Sequence, residues 1–283
     1  MGTGQPNQDE GNRAYASQEA AEAWRRGAAT RAQSVGPATE IMLDMANLVI
    51  GSRVLDVAAG AGEQTVLAAR RVGPTGAVLA TDIAAEMLKI TAEAAHQAGL
   101  RNVTTRVMDA QQLDVDAASF DAAISRLGLM FMADLPAALA GIRRALKPGG
   151  RLAAIVMSSA EKSRYVALTL EIACRHARRP ASALDRIGLF SLGGAGVFEA
   201  ALTNAGFANV TVQAVPTRRW YPSRADALQD RKNSCPEIGE LIADLSGADR
   251  ESAWAEIEQA TGQFEGPNGV EVFGEVLVGA GTK

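Results

Sequence analysis

"VLDVAAGAGEQT", residues 54–65, runs from an apolar stretch through five small residues, Ala58 to Gly62, into what reads as the start of a helix. Small residues at a strand-to-helix junction let another group approach the backbone closely and leave the N–H groups of the first helical turn open to a ligand. A G-x-G at such a turn also arises for steric reasons alone, so the neighbouring sequence has to carry the reading.

Outward from this stretch, apolar β-rich runs alternate with alanine-rich helical ones. "RVLDVAA" (53–59), "AVLATDI" (77–83), "NVTTRVMDA" (102–110), "FDAAISRL" (120–127) and "GRLAAIVM" (150–157) predict strands. "EQTVLAARRV" (63–72), "AAEMLKITAEAAHQAG" (84–99) and "LPAALAGIRRAL" (135–146) predict the intervening helices. Such alternation predicts an α/β fold, a doubly wound and mostly parallel sheet with helices on both faces. Ligands of such sheets sit outside the carboxyl ends of the strands, near the point where strand order reverses. Before the first strand, "SQEAAEAWRRGAATRAQS" (17–34), with Ser17 as N-cap, and a second run from Pro37 predict two N-terminal helices. Residues 1–13 are polar and predict a disordered tail.

Composition narrows the function. With 28 Lys and Arg against 32 Asp and Glu, the 283-residue chain has a net charge of −4 and no basic field for nucleic acid. Cys174 and Cys235 sit in no ligand-spaced cluster, so no metal centre is expected and the thiols read as reduced. No segment approaches the roughly 18 uninterrupted apolar residues of a membrane span, and the expected location is the cytoplasm.

Three further signals close the next strands. Asp82 lies 20 residues after Gly62 at the end of the second strand, where a carboxylate can accept both hydroxyls of a ribose. Asp109 ends the third strand and can accept from an exocyclic amine, with the Ala110 amide beside it; Ser125 and Arg126 end the fourth. Any one Asp alone reads more readily as a turn or cap residue, but together they favour a bound nucleoside. Thr65 stands where a dinucleotide fingerprint has its third glycine, which weighs against nicotinamide.

With "ATDIAAEML", "VMDAQQL", "FDAAISRLGLMF" and "IRRALKPGGRL", the opening stretch makes five blocks in order, and the chain resembles the class I S-adenosylmethionine-dependent methyltransferases, the group that includes the quinone-biosynthesis C-methyltransferases and bacterial small-molecule methyltransferases. The resemblance implies a seven-stranded sheet whose last two strands, "NVTVQAV" and "GVEVFGEVLVG", form a hairpin. It implies S-adenosylmethionine as cofactor and S-adenosylhomocysteine as product. Gly60 and Gly62 would line the methionine and ribose part, Asp82 would hold the ribose, Asp109 and Ala110 would recognise adenine, and Met87 would pack on its face. Ser125 and Arg126 would border the methionine moiety, with Ala59, Gln64 and Ile83 completing the set and Tyr15 covering the methionine end. Asp56 would fix the loop, and Ala58 stands where many members carry glycine.

The expected organisation is then a 1–13 tail, N-terminal helices over the cofactor at 14–50, a cofactor-binding core at 51–158, a lid insertion with helix and sixth strand at 159–215, a helical lid at 216–268 and a seventh strand at 269–283. Long insertions on the functional edge point to a lid that selects a small, largely apolar or aromatic acceptor. Met130 and Phe190 are candidates to line the acceptor pocket, although both residue types are also ordinary core. His176, in the first insertion, is the candidate base if one is needed, and otherwise a surface residue among arginines. Arg126 reads either as a contact for an anionic acceptor group or as half of an ion pair. Cofactor-assisted cyclisation or decarboxylation, non-catalytic nucleoside binding and homo-oligomerisation stay open.

Overall fold

A computed structural model describes residues 17–180 and 188–283; the expected 1–13 tail and Tyr15 lie outside the described residues. The first strand, β1 (Arg53–Val57), is buried along all but its first residue. Val54 packs with Met42 and Ala68 on one side of the sheet, whereas the next residue, Leu55, packs with Leu139 and Ile172 on the other. A strand covered on both faces needs apolar residues at successive positions, so these runs show no alternation.

Strands β2 (Ala77–Asp82), β3 (Val103–Val107), β4 (Phe120–Arg126) and β5 (Leu146–Met157) follow, then β6 (Ala208–Tyr221), the two-residue β7 (Glu265–Gly266) and β8 (Gly269–Thr282). The sheet order is β3-β2-β1-β4-β5-β8-β6, with β7 paired only to β8. β1 to β5 pair in parallel, and β8 runs antiparallel to both its neighbours. This is the expected seven-stranded pattern plus one short bridge. The chain leaves β1 toward β2 and β3, then returns to the opposite side of β1 as β4, which opens the crevice between the carboxyl ends of β1 and β4.

At the N-terminus, α1 (Gln18–Arg26) starts where expected, with Ser17 Oγ accepting from the Ala20 N–H at 3.1 Å. The break to α2 (Ala28–Met45) falls at Gly27, however, and α2 runs straight through Pro37. Two features accommodate the proline. Gly36 has no Cβ to clash with the ring, and Val35, Ala38, Met42 and Leu43 bury one face against the sheet. Tertiary burial thereby carries the helix across a residue that reads as a helix start.

Helices α3 (Glu63–Val72), α4 (Ala85–Gln97) and α5 (Leu135–Ala145) are the crossovers, and α6 (Arg164–His176) and α7 (Val197–Asn204) follow β5. The 216–268 insertion holds α8 (Arg224–Ser234), α9 (Pro236–Leu241) and α10 (Gly247–Thr261). Ser223 and Ser246 cap α8 and α10 through the Asp226 and Asp249 N–H groups. β6 extends further than the sequence predicted: Pro216 to Tyr221 pair with β8 beyond Val276, where β5 contributes its last partner. Proline is tolerated there because β6 is the sheet edge. The resulting two-stranded arm carries Arg219 and Tyr221 out to α8, which itself packs on α1 and α10.

Candidate active site

The loop after β1 bends through two left-handed residues, Ala58 (φ 55°) and Gly60 (φ 57°). At Gly60 the left-handed backbone is what favours glycine, and the position where a Cβ would stand is in ordinary contact, 3.5 Å, with the Trp24 indole nitrogen of α1. Ala58 is strained for a residue with a Cβ, and its methyl packs where Gly128, after β4, has no side chain; a Cβ on Gly128 would lie 2.5 Å from it. Gly62 (φ 83°) has a different reason to be glycine. A Cβ there would come within 2.9 Å of the Thr91 backbone, so this residue lets α3 and α4 approach and does not line the main cleft.

That cleft opens at the carboxyl ends of β1 to β4 and extends under the insertion helices. Of the expected cofactor-binding residues the structure brings Ala59, Gly60, Gln64, Asp82, Ile83 and Met87 to its lining, and with them Asp109, Ala110 and Arg126. Asp82 Oδ2 accepts from the Gly60 N–H and Oδ1 from the Ala84 N–H, each at 2.9 Å, so one carboxylate ties the glycine loop to the end of β2. Burial pushes the Asp82 carboxyl above its ordinary value, against the backbone N–H groups of Ala84, Gly60 and Ile83. Asp109 caps a short 3₁₀ turn through the Gln111 N–H at 2.8 Å while facing the cleft. Ser125 is fully buried behind the wall, and its hydroxyl has no hydrogen-bond partner among the described residues.

Behind the loop, Asp56 is fully buried and accepts from Thr65 Oγ1 at 2.5 Å and from Gln64 Nε2 at 3.2 Å. Burial raises its carboxyl from 3.8 to about 7, with the Thr65 and Gln64 hydrogen bonds and the Arg126 charge pulling the other way. The unfolded chain releases this proton near 3.8 and the folded one only near 7, so Asp56 makes stability fall as pH rises across that window. Asp56→Asn removes the titration. Chemical denaturation at several pH values is expected to show that this downward contribution is absent in the variant; an unchanged pH profile contradicts the assignment.

Arg126 is engaged in an ion pair. Glu63, in the first turn of α3, bridges it to Arg31 of α2, and Arg31 also donates to the Trp24 carbonyl and stacks 3.8 Å from the Trp24 ring centroid. Burial alone would raise the Glu63 carboxyl, but Arg126 and Arg31 outweigh it and hold it below its ordinary value.

Beyond β4 the lining turns apolar, with Met130, Met132, Met157, Val166 and Leu189. Met130 is among the expected acceptor residues; its carbonyl accepts from Ser191 Oγ at 2.8 Å. Phe190 packs on the main core, and its neighbour Leu189 takes the place on the cleft wall. The structure does not bring His176 to the cleft. At the end of α6, its Nε2 lies 2.7 Å from Glu256 Oε2 on α10, and Arg175 shares that carboxylate. Sequence reasoning missed Trp24, Arg31, Arg219 and Arg231, all on the lining. The helical spacing of Trp24 and Arg31 was visible in the sequence, but nothing local said that this face meets the glycine loop.

Residues 54–150 match a family model described as a methyltransferase domain. The nocamycin O-methyltransferase of Saccharothrix syringae is 36% identical over 124 residues, 44% of this chain and 44% of its own length. The ubiquinone/menaquinone biosynthesis C-methyltransferase UbiE of Teredinibacter turnerae is 38% identical over 122 residues, 43% of this chain and 49% of its own length. This chain thus spans less than half the length of either relative. Among solved structures, the YcgJ protein of Bacillus subtilis has the same fold, with a TM-score of 0.60 at 17% identity over 88% of this chain and 98% of that one. Residues 54–150, which carry the glycine loop and the strand-end carboxylates, thus match a methyltransferase domain.

Proposed function

We propose that this protein transfers the methyl group of S-adenosylmethionine to a small, largely apolar or aromatic acceptor. The observation that carries this reading is a single cleft with two chemically different ends. One end holds the Asp82 and Asp109 carboxylates beside the bare backbone of Gly60; the other is lined by Met130, Met157, Val166 and Leu189. The half-exposed Ile83 side chain and buried Met87 offer apolar surfaces to a nucleobase between the two carboxylates. Asp82 would accept from the ribose hydroxyls, and Asp109 with the Ala110 N–H would meet the base edge. S-adenosylmethionine, when bound, supplies a methyl group already activated by the sulfonium. The chain's part is then to orient the acceptor and exclude water, and such positioning is worth roughly 7–11 kcal/mol. Neither histidine lines the cleft, so the reading assigns no protein base.

Calorimetry is expected to show binding of S-adenosylmethionine or S-adenosylhomocysteine and none of NAD. Incubation with metabolite extracts should then yield S-adenosylhomocysteine and a product heavier by one methylene. Tight NAD binding removes the cofactor assignment, and cofactor binding with a product of unchanged methyl content favours cyclisation or decarboxylation instead.

A further inference from the structure

Deep in the cleft, on the side of the insertion helices, charge accumulates where an apolar acceptor would need none. Arg31, Arg126, Arg219 and Arg231 all line the cavity. Glu63 answers Arg31 and Arg126, while Asp230 answers Arg219 at 3.1 Å and takes the Tyr221 hydroxyl at 2.7 Å. Glu237, beside Cys235, adds one more carboxylate to the lining. Of the four guanidinium groups, Arg31, Arg126 and Arg219 each have a carboxylate ion-pair partner.

The fourth, Arg231, is placed differently. Arg231 is 3% exposed, and its Nε and Nη2 are buried with no hydrogen-bond partner among the described residues. Its guanidinium is held 5.8 Å from the ring centroid of Tyr165, whose hydroxyl is anchored on the Ala227 carbonyl at 3.2 Å. One helical turn on, Ser234 presents a second buried atom, Oγ, that also lacks a partner, and it lines the same cleft. Leaving buried N–H groups of a cation unsatisfied is costly, so a fold that fixes them in place has an acceptor of hydrogen bonds in view. A planar fork of two N–H donors plus a hydroxyl matches the oxygens of a carboxylate or phosphate.

We propose that Arg231 and Ser234 form an oxyanion-binding subsite, and that the acceptor carries a carboxylate or phosphate which this subsite takes while its apolar body lies along Met130, Met157 and Leu189. This rests on the methyl-transfer reading only for the word acceptor; the subsite itself is a property of the cleft. Strand order places it apart from the nucleoside end: Asp82 and Asp109 close β2 and β3, whereas Arg231 and Ser234 come from α8, and Arg219 from the arm beyond β5.

The test is ligand-observed NMR titration of the full chain saturated with S-adenosylhomocysteine, using benzoate, phenyl phosphate and neutral benzamide as probes. Benzoate or phenyl phosphate is expected to bind at least tenfold more tightly than benzamide, and whichever is tighter identifies the source of the oxyanion. Arg231→Met should abolish the preference while the affinity for S-adenosylhomocysteine changes less than about twofold. Arg231→Lys should restore part of it, and Ser234→Ala, a small change that keeps the helix, should weaken it without touching benzamide. Equal binding of benzamide and both anions overturns the proposal. So does a parallel loss of S-adenosylhomocysteine affinity in Arg231→Met, because the guanidinium would then serve the cofactor's own carboxylate. If S-adenosylhomocysteine does not bind the parent protein, the methyl-transfer reading fails, and the same titrations without it decide the subsite on its own.

Discussion

Replacing Glu63 with alanine is expected to lower the free energy of unfolding by about 3–5 kcal/mol. Its carboxylate is the shared partner of two guanidinium groups whose side chains are 2% and 6% exposed, Arg31 from α2 and Arg126 from the end of β4. Removing it leaves two buried cations that keep, among the described residues, Thr39 Oγ1 at 3.5 Å from Arg126 and the Trp24 carbonyl and ring beside Arg31, but no direct ion-pair partner. An uncompensated buried charge costs far more than the net worth of the pair that it belonged to. Glu63→Gln keeps the shape and drops the charge, and it should recover only part of the loss. Urea unfolding measures both variants. A loss below about 1 kcal/mol for the alanine variant would place this triad among ordinary surface ion pairs.

Asp82→Ala is expected to weaken binding of S-adenosylhomocysteine about 10- to 100-fold, from the loss of charge-assisted hydrogen bonds of about 1.5–3 kcal/mol. The same change frees the Gly60 and Ala84 N–H groups that Asp82 now holds, which loosens the loop around any ligand. Asp82→Asn retains one acceptor oxygen and should fall between parent and alanine variant. Calorimetric titration reads the affinities, and denaturation of the free proteins separates binding from folding. Unchanged affinity in both variants moves the nucleoside end of the cleft elsewhere.

Much of the fold was legible because the relevant forces are local or periodic. Strands buried on both faces have to be apolar throughout, crossover helices have to show one apolar face, and both signals lie within a few neighbouring residues. The predicted helix 63–72 coincides with α3, and the strand ends place Asp82, Asp109 and Arg126 where the chain turns toward the cleft. Pro37 shows the limit of local reasoning: it read as the start of the second helix, whereas α2 begins at Ala28 and runs through it with Val35, Ala38 and Met42 buried on the sheet. Gly62 shows another. Next to Gly60 in the same motif, it serves the contact with Thr91 rather than the cleft, a distinction set by a helix nearly thirty residues away in the sequence.

By itself, then, the sequence determined a doubly wound sheet, a close-approach loop after its first strand and a row of carboxylates at the strand ends, because spacing along one chain dictates which end of a strand each residue occupies. Only the tertiary structure decided which distant groups share the cleft. Trp24 closes over Gly60, Arg126 spends its charge on Glu63, and His176 faces Glu256 instead of the cavity. Leu189 displaces Phe190 from the lining, while Arg219 and Arg231 arrive on an extended arm and an insertion helix. Charge pairing and burial act between neighbours in space, and the partners of these residues lie up to 185 positions away, where no periodicity connects them.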